Sequence, residues 1–438
     1  MIQFKCMKKI WFIAVCLFIL QGCVFAAEVK KVYLDEAIDA ALKNNIDLQA
    51  AQIDVNIAKN QIKSANRLQN PSIDAFYFMG GAGYNEPKQL GLSQNIEIAK
   101  RKARKDLAKS NLVLVQKNVN YTEFDLKMDV REAYINLVAA KSILNTFEQQ
   151  KELQEELLEI ATERVKNKKE PGIDVLQAEI ALNQLITQLN TARVNVNTAL
   201  SNFNKVLNDP NKIIYDTKDK IFSEDNNFAE MLTPPPSFDF PDFEEIVQKA
   251  LTNRFDIKIA KQQIDVAEKN LTLVSRQRIP DIALVGGYAY QFGAHSDSGN
   301  YNNGAYAGAS LVNIPLFYNY SPEIQNATLR LRQAELKYES VKNKAKKDVS
   351  ASYQRFLTAV ENLKHYEDKI IKNSEELIEI SKDSYEEGKS DITSLIVMKQ
   401  SYISIIVGYT YALAEYYTSW TNFLREVNDE DFELPEDI

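Results

Sequence analysis

The side chains that most often carry nucleophilic or metal chemistry are scarce in this sequence. Its three cysteines, Cys6, Cys16 and Cys23, lie within the first 23 residues, and its two histidines, His295 and His365, lie far apart. The rest of the chain therefore offers no disulfide, thiolate metal site or cysteine nucleophile. No carboxylates cluster with a histidine at a catalytic spacing either. The sequence predicts that the protein is not an enzyme and uses no cofactor and no metal.

The charge of the chain limits its partners. The net charge is −8 over 438 residues, and it is spread along the sequence. This charge balance does not suggest nucleic-acid binding, so we expect no nucleic-acid partner. A mildly acidic balance bears on solubility rather than on a particular ligand. Functional residues are therefore expected to act through their position, and the elements that position them come next.

The N-terminus has the pattern of an export signal. Lys8 and Lys9 precede an apolar stretch over residues 10–20, which is too short to cross a bilayer about 30 Å thick as a helix. Two processing sites are open. Cleavage after Ala26 would make residues 1–26 a signal peptide, whereas the sequence LQGC resembles a lipobox that ends at Cys23, although Gln21 is unusual there. Either route takes the protein out of the cytoplasm.

The chain contains a tandem duplication. ALKNNIDLQAAQIDV, which begins at Ala41, matches ALTNRFDIKIAKQQIDV, which begins at Ala250, and NPSI is followed at the same spacing by IPDI in the second half. Such self-similarity indicates repeated structural units. The predicted boundaries are a first repeat over 27–207 with a strand pair at 71–98, a linker at 208–242, a second repeat over 243–427 with a strand pair at 280–316, and a tail at 428–438.

Each half follows one plan. A helical segment comes first, at 34–68 and 243–277, and a glycine-rich strand pair follows it. Next comes a very long helix, at 100–167 and 322–387. A tight turn then leads to a final helix, at 173–207 and 392–427. The fold class is therefore mainly α with four β-strands per chain. Apolar residues in the long helices repeat at spacings of 4 and 3, which predicts coiled-coil packing; they include Val130, Leu137, Val349, Phe356, Leu363, Leu377 and Ile380.

Strict alternation over residues 281–292 predicts an extended strand with two unlike faces. At about 3.3 Å per residue it suits the strand of an outer-membrane barrel, in which lipid-facing and lumen-facing residues alternate. Soluble hairpins packed on helices are the alternative, and the export signal and the duplication favour the membrane. The predicted lipid-facing residues are Ile282, Leu284, Tyr288, Tyr290 and Phe292, and Asp281, Gly287 and Gln291 are predicted to face the pore.

The other predicted strands also alternate. Leu90, Leu92 and Ile96 alternate with small or polar residues, and Tyr306, Val312, Ile314 and Leu316 are predicted to share one face. A hairpin in lipid needs partners for its edge groups, and four strands are too few to close a barrel. Three chains would supply twelve strands.

With the order helix, strand pair, long helix, tip and helix, the duplicated chain resembles the TolC family of outer-membrane efflux channels. The motifs that carry the resemblance are LDEAIDAALKNNIDLQAA, NPSI with IPDI, NIPLF, and the tips RVKNKKEPGIDVLQAE and SYEEGKSDITSLIVMKQ. The resemblance implies a homotrimer with a 12-stranded β-barrel in the outer membrane and an α-barrel across the periplasm. It also implies a periplasmic adaptor protein and an inner-membrane pump of the RND or ABC type as partners, in efflux or type I secretion.

The resemblance further implies roles for residues at the tips. Adaptor docking would involve Arg164, Val165 and Gly172 at the first tip and Tyr385 and Gly388 at the second, although Lys168 or Lys169 replaces an expected glycine. Capping of helices is the alternative for the two glycines.

Family members often carry aspartate rings past the second tip, but Ser394 and Val397 stand there in this chain. Asp174 and Asp391 could form a weaker acidic constriction. A simple N-cap for the helix that begins at Ile392 is favoured for Asp391.

A periplasmic adaptor with a long helical hairpin is the alternative function. Adaptors also carry export signals and heptads, but they place one central hairpin between mirrored flanking segments. The tandem duplication favours the channel.

Overall fold

The computed structural model describes residues 29–77, 87–166, 172–211, 213–218, 243–291, 304–387 and 389–428. The predictions for Cys23, Phe292 and Gly388 lie outside these ranges. The chain forms two compact units, of which one comprises residues 1–46 and 133–230 and the other comprises residues 47–132 and 231–438. We refer to these as the first and the second unit.

The helices of the first half include the two long ones that the sequence predicts. Their bounds are α1 Leu34–Asn44, α2 Ile46–Ala65, α3 Lys100–Lys166 and α4 Ile173–Leu207. Between residues 100 and 166 the sequence has neither proline nor glycine, so nothing interrupts the backbone hydrogen bonds of α3. At about 1.5 Å per residue, its 67 residues extend about 100 Å.

The second half repeats this order. Its helices are α5 Phe243–Asn253, α6 Phe255–Ser275, α7 Ser321–His365, α8 Ile371–Glu386 and α9 Ile392–Val427. The final helices of both halves end at an asparagine in the left-handed region, Asn208 with φ 44° and Asn428 with φ 58°. Asparagine tolerates this backbone conformation and stops a helix there.

The first helical segment of each half was expected to be continuous, and it is broken in both. Asn45 and Arg254 have extended ψ angles of 121° and 129°. Each side chain stabilises the break, and each has at least one partner far away in the sequence. Asn45 Nδ2 donates to the carbonyl oxygen of Val206 at 3.0 Å, and Arg254 pairs with Asp256 and Glu426.

The second long helix was also expected to be continuous, but a π-helical turn, Tyr366–Ile370, separates α7 from α8. The ring of Tyr366 lies against Gly408 of α9, where a methyl group would stand 2.6 Å from Tyr366 Oη. Tyr409 Oη donates to Glu367 at 3.2 Å. The bulge therefore lies where α9 offers a glycine and a hydrogen-bond donor.

The predicted heptad residues are buried mainly in the second half. Val349, Phe356, Ala359 and Leu363 of α7 are buried, whereas Leu377 and Ile380 of α8 are exposed. In α3 only Val130 and Leu137 of the predicted seam are fully buried. Other residues on the same helix complete its core; they include Met128, Tyr134, Ile135 and Val138.

α9 packs on α7 through aromatic side chains. Phe356 contacts Tyr416, Trp420 and Phe423 with ring centroids 5.0–6.2 Å apart. By length and composition α9 could also cross a membrane, as the only such helix among the residues described. Most of its buried side chains lie in its C-terminal half, from Thr410 onward.

Four strands form one antiparallel sheet in the order β2-β3-β5-β6. They are β2 Ser72–Tyr77, β3 Pro87–Ile96, β5 Asp281–Gln291 and β6 Gly304–Val312. β3 pairs with β5 along its whole length. The two strand pairs of the duplication are thus joined into one sheet within the second unit.

The first unit contains a parallel pair that the sequence did not reveal. β1 Val29–Val32 pairs with β4 Ile214–Thr217, in the segment predicted to be a linker. Tyr134 Oη donates to the carbonyl oxygen of Val32 at 3.1 Å, and Lys141 Nζ donates to Thr217. These contacts hold the pair against α3.

Candidate channel-forming sheet and helical tips

The sheet has one large, exposed apolar face. Cross-strand partners share a face, so the pairing of Leu90 with Tyr288 and of Ile282 with Leu311 places these four residues together. The exposed members of this face are Ile73, Leu90, Leu92, Leu284, Tyr288 and Leu311. The predicted lipid-facing residues Ile282, Leu284 and Tyr288 belong to this face by their register, and the side chain of Tyr290 lies outside those that the structure describes. An exposed apolar surface of this kind is unusual in water and suits a lipid environment.

The opposite face carries small and polar residues. It includes Asp281, Ala283, Val285, Gly287 and Ala289 of β5, Ser93 and Asn95 of β3, and Ser310 of β6. Phe76 is a large exposed exception on β2. Tyr306 and Val312 also lie here, opposite to Ile282, while Ile314 and Leu316 lie beyond the end of β6. The prediction that all four share a face was wrong because β6 ends at Val312.

A tyrosine lies flat across two glycines on this second face. Gly91, Gly287 and Tyr306 occupy one cross-strand row. A methyl group on Gly91 would lie 2.4 Å from Tyr306 Oη, and one on Gly287 would lie 2.7 Å from it. Only glycine leaves room for the phenol to rest on the strands. The tyrosine ring can therefore lie close to the backbone of β3 and β5 on this face.

An ion-paired belt borders the helical end of the sheet. Lys100 Nζ contacts Asp281 Oδ2 at 2.6 Å, and Asn313 Nδ2 donates to the same oxygen at 3.1 Å. Arg104 makes two bonds to Glu97, at 2.8 and 2.6 Å. Asp281 was predicted to face the pore, and it lies on the polar face, buried beneath Lys100.

The first tip belongs to the first unit. Arg164 and Val165 lie in the last turn of α3, Gly172 precedes α4, and Asp174 lies in the first turn of α4. Gly172 has φ −63°, and a methyl group there would meet nothing within 4 Å. Among the described residues, neither the backbone conformation nor the available space requires glycine at this position.

The second tip belongs to the second unit. Tyr385 lies near the end of α8 and is buried, and Asp391 is the N-cap of α9. Asp391 Oδ1 accepts a hydrogen bond from Ser394 N at 2.9 Å. The hydrogen bonds from Ser394 hold the pKa of Asp391 below its ordinary value. The predicted cap is present.

The decisive comparison is with families of proteins. The sequence matches the outer membrane efflux protein family over residues 37–209 and again over residues 246–402. These two segments cover most of the chain and follow its duplication. The chain belongs to the outer membrane efflux protein family. It is an outer-membrane efflux channel protein with a periplasmic helical portion, and the adaptor alternative receives no support.

Solved structures share the fold of this efflux protein. The outer membrane channel CmeC of Campylobacter jejuni aligns with a TM-score of 0.74 at 19% identity, covering 92% of this chain and 87% of that chain. VceC of Vibrio cholerae gives 0.70 at 16% identity, with 90% and 96% covered. MtrE of Neisseria gonorrhoeae, in its open state, gives 0.69 at 17%, with 91% and 89% covered. No curated protein sequence matches the chain.

Two polar junctions in the efflux protein were missed by the sequence analysis. Arg254 binds Asp256 and Glu426, and these carboxylates raise its pKa although burial alone would lower it. Arg425 contacts Asp129 at 2.5 Å and Asp125 at 3.7 Å. The repeated Asn-Asn and Asn-Arg pairs in ALKNN and ALTNR were the available signal for the helix breaks.

The described part of the efflux protein contains no group of three histidine, cysteine or carboxylate side chains that could hold a metal ion. Its family consists of channels, and channels of this family work with adaptor proteins in tripartite efflux systems.

Proposed function

We propose that three copies of this chain form one passive duct through the outer membrane and across the periplasm. The observation that carries the proposal is the four-stranded sheet with one exposed apolar face and two unpaired edges within the described residues. Edge groups cannot remain unpaired in hydrocarbon, so the sheet needs neighbours. Three sheets would give a 12-stranded barrel with the apolar face toward lipid, and the long helices would continue it as an α-barrel.

In this duct the residues near the tips act by position. The first tip, with Arg164, Val165 and Gly172, and the second, with Tyr385 and Gly388, would dock a periplasmic adaptor protein, which connects to an inner-membrane pump of the RND or ABC type. Gly172 is exposed, and a methyl group there would meet no atom of the described residues within 4 Å, which leaves room for a docked helix. Asp174 and Asp391 would form an acidic constriction in three copies. No catalytic activity, cofactor or metal is required for passive conduction.

The N-terminal segment would direct export. Cleavage would follow Ala26, or Cys23 would become acylated. Metabolic labelling with a radioactive fatty acid distinguishes these routes, because only an acylated Cys23 incorporates label and a Cys23→Ser variant then loses it.

Fractionation and channel recording test the proposed function together. The full chain is expected in the outer-membrane fraction and, after purification and insertion into planar lipid bilayers, should conduct ions. Recovery as a soluble monomer without conductance would overturn the proposal.

A further inference from the structure

We propose that residues 313–320, the junction loop after β6, form an apolar contact with residues 68–73, the edge segment at the start of β2, in a second copy of this chain. The inference rests on the trimer proposed above, since it names a contact between neighbouring protomers. Both segments lie in the second unit, at the helical end of the sheet.

The junction loop presents an apolar cluster to its surroundings. Phe317 is fully exposed at 103%, Leu316 is 77% exposed, and Ile314 and Tyr318 are also exposed. Four neighbouring exposed apolar side chains indicate a binding surface.

Backbone conformation and hydrogen bonds hold the junction loop in place. Its apolar side chains are therefore exposed on an ordered segment. Asn313 and Tyr320 adopt left-handed φ angles of 56° and 57° at its two ends. Arg278 Nε donates to the carbonyl oxygen of Asn319 at 2.7 Å, and Leu316 N donates to the carbonyl oxygen of Ile314 at 2.9 Å. A surface that is already ordered binds with a smaller loss of conformational entropy.

The edge segment offers a matching apolar surface. Ile73 is 73% exposed and Leu68 is exposed. Gln94 Nε2 donates to the carbonyl oxygen of Gln69 at 2.8 Å, and the hydroxyls of Ser72 and Ser93 lie 2.6 Å apart. These bonds fasten the segment to β3.

The sheet topology brings the two segments together when copies join. β2 and β6 are the outer strands, and both Ser72 and Val312 lie at the helical end. If antiparallel alternation continues from one chain to the next, β6 runs beside β2 of the neighbour. The junction loop then meets the neighbour's edge segment just beyond the paired strands.

Charged groups around the junction loop favour a protein partner over lipid. Arg278 bonds its backbone, and Glu323 accepts a hydrogen bond from Tyr318 Oη. An apolar centre with a polar rim is typical of protein interfaces, whereas charges at this position would be costly in hydrocarbon.

A disulfide tests the contact in the full chain. Leu68→Cys combined with Phe317→Cys should give chains linked to one another on non-reducing gels, and reductant should separate them. We expect no bond within one chain, because Leu68 and Phe317 flank β2 and β6, which are three strand spacings apart in the sheet, about 14 Å, and a disulfide needs Cα atoms within about 7 Å. The native cysteines end at Cys23, and each single variant controls for them.

The remaining outcomes are distinguishable. Trimers by native mass spectrometry without linked chains would overturn the contact and leave the proposed function intact, whereas a complete absence of trimers would overturn both. Strong quenching of a Phe317→Trp variant by brominated lipid would assign the junction loop to lipid and overturn the inference. Phe317→Ser should lower the temperature at which trimers dissociate, and Phe317→Leu should largely retain it; equal behaviour would contradict the contact.

Discussion

Asp391 has two candidate roles that differ in what they require of one side chain. As an N-cap it needs an oxygen that accepts the hydrogen bond from Ser394 N, and as part of an acidic constriction it needs a negative charge. Because its folded pKa is lowered, its stabilising effect is complete at neutral pH. The effect is lost as the pH falls through that lowered pKa.

We expect Asp391→Ala to loosen the start of α9, and Asp391→Asn to preserve it. Asparagine keeps the acceptor and removes the charge. Hydrogen exchange of the amides in residues 392–395 measures this difference, with faster exchange only in the alanine variant. Faster exchange in both variants would show that the charge, rather than the cap, holds the turn.

The hydrogen bonds of Asp209 predict that the stability of the first unit depends on acid pH. Burial raises its pKa, but hydrogen bonds from Tyr215, Asn211 and Asn44 outweigh burial and leave the pKa below its ordinary value. The ionised form therefore stabilises the fold at neutral pH, and that stability is lost as the pH falls through the lowered pKa. Asp209→Asn should flatten the acid-induced rise in hydrogen exchange over β4. Identical acid profiles in the two proteins would refute the assignment.

The roles of some residues follow from their neighbours in the sequence, whereas the roles of others depend on distant residues. The N-cap at Asp391 follows from its place one residue before Ile392. Asp209 and Arg254 gave no such signal, because Asp209 meets Asn44 at a separation of 165 residues and Arg254 meets Glu426 at 172.

At the scale of elements, the two faces of the sheet predict different responses to charge. Gln89 and Leu90 are adjacent in β3 and point to opposite faces. Leu90→Lys should reduce assembly in the outer membrane, since a lysine on a lipid face costs about 2–4 kcal/mol at the bilayer midplane. Gln89→Lys is the matched control and should assemble normally. The yield of trimer in outer-membrane fractions measures both, and equal losses would contradict the facing.

Leu284 and Ala283 would be a poorer pair for the same test. Ala283 is only 5% exposed, so a charge there would disturb packing whichever face meets lipid.

The close contact between Gly91 and Tyr306 predicts that a second substitution restores the stability that Gly91→Ala removes. Gly91→Ala should destabilise the sheet, because the new methyl group would meet Tyr306 Oη at 2.4 Å. Adding Tyr306→Phe removes that oxygen and leaves Tyr306 Cζ as the next ring atom, at 3.5 Å, so stability should return.

Gly308→Ala serves as the control for this row, since nothing lies within 4 Å of its added methyl group. The temperature at which the folded band disappears on gels measures the stability of all three variants. A double variant no more stable than Gly91→Ala would refute the clash.

Periodicity predicted the long elements well and the short ones poorly. α3, α4 and α9 have strong patterns and clear stops, and their ends match the sequence closely. β1 and β4 have four residues each and pair across the first unit, so neither has a pattern long enough to recognise. The π-helical turn depends on Gly408 in another helix, which a reading along one helix cannot reveal.

At the scale of the whole molecule, the duplication was visible and the assembly only implied. Repeated motifs lie along one chain, whereas stoichiometry depends on surfaces that a chain leaves uncovered. Leu377 and Ile380 illustrate this, because they continue the predicted heptad seam but are exposed in the single chain. Their partners would come from another copy.

The central claim is that three chains close one barrel. Electron cryo-microscopy of the full-length protein in lipid nanodiscs tests it most directly. We predict three copies around one axis, with twelve strands in the membrane and the face of Leu90 and Leu284 toward lipid. A monomer, another number of copies, or a barrel with that face toward its lumen would contradict the account.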